Sequence, residues 1–97
     1  MHVLALDLRL RLPHADSLKA KRSVIRPITE RLPNKLGVAV AEVEDQNEHR
    51  FSRLAVVAVS GSARQTTELI DEAERFVWSR PDLEVLDADR TWMEVDR

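Results

Sequence analysis

The chain has 97 residues, of which 43% are hydrophobic and 33% are charged, and its formal net charge is −2. This length and composition predict one folded domain over residues 1–97, because the chain is too short for two cores and too apolar for a disordered protein. It contains no cysteine, which excludes disulfides, thiolate metal sites and a cysteine nucleophile.

The N-terminal segment, His2 to Leu12, places a leucine at every second position and so predicts a β-strand with one buried face. Charged residues on its other face argue against a signal peptide or a membrane span. No other apolar run approaches membrane length. We therefore expect a soluble, cytoplasmic protein that makes no membrane contact.

A first helix is predicted from Ser17, a good N-cap residue, to about Leu32. Its apolar positions follow helical spacing: Leu18, Val24, Ile25, Ile28 and Leu32. Pro27 lies inside this helix and has no N–H to donate, so we expect a kink or a restart there.

The middle of the chain predicts a pair of strands, Val38 to Glu44 and Phe51 to Ser60, joined by the polar connection Asp45 to Arg50. The apolar residues of these two strands fall on both of their faces. A strand that is apolar on both faces indicates cover on both sides of the sheet.

The C-terminal part predicts a second helix, which Ser62 opens and which runs to about Ser79. A fourth strand begins near Leu83 and continues towards Trp92 and Val95. The resulting β-α-β-β-α-β order predicts an α+β, ferredoxin-like sandwich: a four-stranded antiparallel sheet with two helices on one face.

The sheet face opposite the helices is predicted to be partly apolar, because small and β-branched residues lie on that side of three strands. They are Val3, Ala5, Ala39, Ala41, Ala55, Val57 and Val59. We expect this face to form a homodimer interface or to dock a partner. The alternative is that the C-terminal segment with Trp92 and Met93 folds over it, or that it is a modestly apolar surface.

Charge is distributed unevenly, since residues 9–35 carry a balance of +6 and the rest of the chain −8. The segment Ser17 to Ser23 is the most informative part, because three cations lie in the first two turns of the predicted helix. These cations, with the helix N-terminus, predict a site for an anion or for RNA phosphates. The predicted contacts are Arg9, Arg11, Ser17, Lys19, Lys21, Arg22 and Arg26. The alternative is a solvated face whose charges pair with Glu42, Glu44 or Asp45.

The same segment resembles the YlxP-like proteins, a family of small bacterial proteins of unassigned function. The resemblance rests on the run His14 to Ser23, on Val38 to Val43, and on the third-strand run that ends at Ser60. It implies a ferredoxin-like fold and brings no accepted catalytic residues. Because the family is often encoded near translation and ribosome-maturation factors, it also implies an RNA or ribosome role.

Several activities are disfavoured by the residues. RNA recognition motifs stack bases on strand aromatics, and here the exposed side of the predicted sheet offers only Phe51 at its edge. His14, Asp16 and Ser17 are too close in sequence to form a hydrolytic triad, and the loop that contains them lacks the glycine cradle of an acylphosphatase. Glycine-rich nucleotide motifs and metal-ligand spacings are absent. We expect no catalytic residue, no metal and no cofactor.

The sequence thus predicts a non-enzymatic, dimeric accessory protein that binds RNA or a ribosomal partner through the basic residues of strand one and helix one. The alternative is a protein-interaction or small-ligand regulatory module that acts through the apolar sheet face.

Overall fold

The computed structural model describes residues 1–93. Its strands are β1 (His2–Arg11), β2 (Ala39–Glu44), β3 (Phe51–Ser60) and β4 (Glu84–Met93), and its helices are α1 (Leu18–Arg26), α2 (Leu32–Leu36) and α3 (Ala63–Trp78). All strand pairs are antiparallel, and the sheet order is β2-β3-β1-β4. The ferredoxin-like fold expected from the sequence is confirmed.

The core lies between the sheet and the helices. The alternating leucines of β1 and the even-numbered residues of β3 turn towards the helices, where α3 packs on both strands. The largest fully buried core residues are Leu4, Leu6, Leu8, Leu10, Leu12, Ile28, Leu32, Leu54, Val56, Ile70 and Val77. Each such side chain stabilises the fold by about 1.5–3 kcal/mol, so this one layer holds the sheet and helices together.

The first helical segment is longer than expected, and its helical type changes at Pro27, where the sequence predicted a kink or a restart. Ser17 caps α1 as predicted, because its Oγ accepts the N–H of Ala20 at 3.0 Å. Pro27–Arg31 then form a π-helical turn that leads into α2. Because Pro27 has no N–H, it cannot donate the α-helical hydrogen bond to the carbonyl four residues earlier. The wider π-helical turn begins at this missing bond. The segment ends at Gly37, whose φ of 70° is the left-handed C-terminal conformation that favours glycine.

Neither the first helical segment nor α3, the two helical parts of residues 1–93, is long and apolar enough to cross a membrane.

The fourth strand occupies an edge of the sheet and does not fold across its face. Trp92 lies opposite Leu4 and Met93 opposite Val3, so both residues extend the sheet beside β1. This corrects the alternative in which they cover the apolar face. The predicted continuation to Val95 lies outside the described residues.

Candidate functional site

Lys21 is a buried residue that joins α1 to the β2–β3 hairpin. Its side chain is 3% exposed, and its ammonium group has three protein acceptors. It donates to the backbone carbonyls of Asp45 and Glu48 at 2.5 and 2.6 Å, and it pairs with Glu42 Oε2 at 2.8 Å. Ser52 Oγ donates to the same carboxylate oxygen at 2.5 Å. The ammonium group therefore has one acceptor for each of its three protons.

This geometry corrects the prediction that Lys21 contacts an anion or RNA. An ammonium group that is already saturated and buried has no donor for an outside phosphate. Lys21 instead pairs with Glu42 and donates to the Asp45 carbonyl. This agrees with the alternative in which the basic residues pair within the protein. A sequence signal for this existed, because Lys21 lies between Leu18 and Ile25 at the helical spacing of the apolar stripe.

Arg9 and Arg11 lie on the sheet face that is turned away from the helices, which we call the open face. They alternate with the buried leucines of β1, so their side chains leave the sheet on the side opposite α1. Arg11 approaches Glu84 on β4 at 3.7 Å. The expectation that they form one basic edge with helix one is therefore wrong, because the sheet separates the two groups.

Three predicted cations remain together on α1: Lys19, Arg22 and Arg26, which we call the α1 cation stripe. Their spacing of three and four residues places them on one side of the helix, over about 10 Å of its axis. Lys19 and Arg22 are exposed and have no acidic partner within residues 1–93. Arg26 approaches Glu30 at 3.5 Å with both side chains about two-thirds exposed, an ion pair that water weakens.

Ser17 caps α1 at the start of this stripe, and its O–H proton is not used by the cap bond. Its hydroxyl already accepts the Ala20 N–H, which is the capping role the sequence predicts for it. Arg31 and Lys35 continue the exposed basic surface on the π-helical turn and α2. The exposed cations of the first helical segment therefore outnumber its one acid, Glu30.

A pocket of about 210 Å³ lies between α1 and the β2–β3 hairpin. Its wall includes Leu18, Arg22, Ile25, Thr29, Glu42 and Gln46. Arg22 and Arg26 thus belong both to the pocket and to the α1 cation stripe. Sequence reasoning did not find this pocket, because nothing along the chain indicates that Gln46 and Thr29 meet across the gap between a helix and a hairpin.

The open face divides into an apolar and a charged half. The seven residues predicted for a dimer interface all lie on it and form its apolar half: Val3, Ala5, Ala39, Ala41, Ala55, Val57 and Val59. Val59 and Met93 at its margin are 55% and 53% exposed. No other part of residues 1–93 covers this half.

The charged half of the open face contains an ion network centred on Arg53. Its guanidinium donates to both carboxylate oxygens of Asp7, at 2.9 and 2.6 Å, and to Glu44 Oε1 at 2.7 Å. A bulge in β2 between Glu42 and Glu44 places Glu44 opposite Arg53. The hydrogen bonds from Arg53 hold the pKa of Asp7 below its ordinary value of 3.8.

Within residues 1–93 no cluster of three or more histidine or acidic side chains is placed to hold a metal ion. The exposed groups with binding chemistry are thus the α1 cation stripe, the pocket beside it and the two halves of the open face.

Comparison with known proteins agrees with this fold and identifies the family. Residues 3–90 match the family model DUF503, described as a protein of unknown function. The chain belongs to the DUF503 family. It is 34% identical over 70 residues to the uncharacterized protein YlxP of Bacillus subtilis (strain 168), a match that covers 72% of this chain and 76% of that protein. The resemblance to the YlxP-like proteins is confirmed.

A solved structure supports the fold independently. The chain superimposes on a de novo designed protein with ferredoxin fold, determined by NMR in solution, with a TM-score of 0.59. The superposition covers 96% of this chain and 84% of the designed protein, at 9% sequence identity. At that identity the likeness concerns the fold alone.

Proposed function

We propose that the protein is a cytoplasmic, non-enzymatic accessory protein that associates with RNA, free or in ribosomal subunits, through the α1 cation stripe. The observation that carries the proposal is that Lys19 and Arg22 are exposed without an acidic partner in residues 1–93. Two cations in the first turns of a helix are mildly unfavourable, since they lie at the positive end of its dipole. A polyanion that binds there removes this penalty.

Binding of this kind depends on salt, because each phosphate contact releases counterions from the nucleic acid. Three contacts to single-stranded RNA predict a slope of about −2 in a plot of log affinity against log salt concentration. The net charge of −2 keeps non-specific attraction weak. Association is therefore expected to be confined to this stripe and to weaken steeply as salt rises.

The test is a charge reversal that spares the buried lysine. In the double variant Lys19→Glu/Arg22→Glu, both positions are exposed and Lys21 keeps its three acceptors. A glutamate at position 19 lies near the helix N-terminus, where it favours the helix. Association with ribosomal subunits by co-sedimentation, and with RNA by fluorescence anisotropy, is measured at low and moderate salt. We expect affinity to fall at least tenfold.

The matched control is Arg64→Glu/Arg75→Glu on α3, which changes the net charge by the same amount on an exposed surface. Its affinity should fall much less than that of the stripe variant. Equal losses in the two variants would attribute binding to overall charge. No loss in the stripe variant would refute the proposal, provided that thermal unfolding shows all proteins to be folded.

A second candidate function is homodimerisation through the open face, and the uncovered apolar half favours it. Three strands of ten residues and one of six, with about 3.3 Å per residue and about 4.8 Å between strands, give the whole open face an area of about 570 Å². Two copies would thus bury about 1,100 Å², which lies just below the range of about 1,200–2,000 Å² for stable protein pairs. Small residues such as Ala41 and Ala55 let two sheets approach closely.

Analytical ultracentrifugation tests this second function. Val59→Glu puts a charge on the apolar half, and Trp78→Glu puts one on an equally exposed apolar residue of α3. We expect Val59→Glu to shift the protein towards monomer and Trp78→Glu to leave the distribution unchanged. A wild-type protein that is monomeric at high micromolar concentration would refute dimerisation. Because the contact is apolar, the dimer should persist at salt concentrations that release RNA.

A further inference from the structure

The pocket between α1 and the β2–β3 hairpin is suited to one flat ring. Small-molecule sites usually span about 300–1,000 Å³, so a pocket of about 210 Å³ has room for a single ring system. The aliphatic side chains of Leu18 and Ile25 contribute to one wall of the pocket. Aliphatic surface of this kind accepts the face of a base without an aromatic residue.

The polar wall of the pocket is rich in hydrogen-bond acceptors. Gln46 uses its Nε2 to donate to the Glu42 backbone carbonyl at 3.3 Å, and its Oε1 has no donor among residues 1–93. Glu42 receives Lys21 and Ser52 on Oε2, which leaves Oε1 without a donor in the same residues. The Thr29 hydroxyl adds a third oxygen to the pocket. A base edge with several N–H groups would complement this wall.

The pocket shares two arginines with the α1 cation stripe, and Glu30, which approaches Arg26 at 3.5 Å, also lines it. Arg22 and Arg26 line the pocket, and Lys19 lies one helical turn before Arg22. A guanidinium can bind a phosphate or stack on a base plane, which is how many proteins hold single-stranded RNA. A ligand that enters the pocket would therefore keep its phosphates against these arginines.

We propose that this pocket takes one unstacked base of single-stranded RNA and that it favours guanine. Guanine has both an imino N–H and an amino group on its pairing edge, which matches the acceptors of Gln46 and Glu42. The flanking phosphates lie on Arg22 and Arg26. This inference rests on the proposed function, because it adds base recognition to the same RNA-binding surface.

The probes are heptamers of single-stranded RNA: seven uridines, the same sequence with a central guanosine, and the same sequence with a central abasic site. We expect the guanosine heptamer to bind about three- to tenfold more tightly than the uridine heptamer, as one or two added hydrogen bonds predict. We expect the abasic heptamer to bind most weakly. All three should have the same salt dependence, because their phosphates are the same.

Gln46→Ala tests the pocket with little risk to folding, since the side chain is exposed. We expect it to reduce the preference for the guanosine heptamer about threefold or more and to leave binding of the uridine heptamer unchanged. The matched control is Gln65→Ala, an exposed glutamine in the first turns of α3. It should alter neither affinity.

The outcomes separate the two proposals. If all three heptamers bind equally, with the expected salt slope and with loss in Lys19→Glu/Arg22→Glu, base recognition is refuted and phosphate binding stands. If wild-type protein binds no heptamer and no ribosomal subunit at low salt, both proposals fail. The pocket would then be better explained as a site for a side chain of a partner protein.

Discussion

Lys21 provides the sharpest test of the structure, because its removal disturbs a buried charge and does not simply alter the surface. The variant Lys21→Met keeps a side chain of similar size and removes the ammonium group. Glu42 then loses its buried cation, and the hairpin carbonyls of Asp45 and Glu48 lose their donor. The first helical segment would also lose its polar link to the β2–β3 hairpin.

The expected cost follows from burial. Removal of one partner from a buried ion pair typically costs about 3–5 kcal/mol, because the other charge stays desolvated. The Glu42 side chain retains 22% exposure and a hydrogen bond from Ser52, so we expect a value near the lower limit, about 3 kcal/mol. This is a large part of the total stability of a small domain, which is about 5–15 kcal/mol.

The assay is urea unfolding monitored by far-ultraviolet circular dichroism and by the fluorescence of the tryptophans. With a slope of about 1–3 kcal/mol per molar urea, a loss of 3 kcal/mol lowers the midpoint by about 1–3 M. The matched control is Lys19→Met, a lysine two residues earlier on the same helix that is exposed. It should change stability by less than about 0.5 kcal/mol.

A double-mutant cycle isolates the ion pair. Glu42→Gln alone and Lys21→Met/Glu42→Gln complete the cycle, and the double variant should be more stable than the sum of the two single losses predicts, by about 1–3 kcal/mol. If Lys21→Met costs no more than Lys19→Met, Lys21 is not buried and saturated as described. Its ammonium group would then be available to an RNA phosphate.

Three further predictions concern the backbone, a helix cap and pH. Gly37→Ala should lower the free energy of unfolding in urea by about 1 kcal/mol, because a side chain is strained at the left-handed φ of 70°. Gly61 is outside the left-handed region and has open space around it, so Gly61→Ala should be neutral or slightly stabilising. Ser62→Ala should cost about 1 kcal/mol, because its Oγ accepts the Gln65 N–H at 3.1 Å; an unchanged midpoint would contradict this. The pKa of Asp7 in the folded protein lies below 3.8, so above about pH 5 the wild-type protein should be more stable than Asp7→Asn. This difference in stability should disappear as the pH falls through the folded pKa. A difference that does not depend on pH would count against the Arg53 contact.

Much of the surface chemistry could be predicted only in part from the sequence. The alternation in β1 already implied that Arg9 and Arg11 leave the sheet opposite the helices, because side chains of odd and even positions point to different faces. Nearness to helix one along the chain does not place these two arginines on the same side of the sheet as the helix. Lys21 lies within a run of charged residues, so its position on the apolar stripe of the helix was not recognised. Its three acceptors come from the β2–β3 hairpin, which only the tertiary structure brings next to α1.

The sequence by itself determined the order of elements, the buried leucine face of β1, the serine caps and the ferredoxin-like fold, because these depend on local periodicity and on the few ways of winding such an order. It also identified the apolar residues of the open face. The tertiary structure decided which cations are exposed, where the pocket lies and how Arg53 pairs with Asp7. These features join residues far apart in the chain, and their spacing is set by packing and strand register, which no local pattern records.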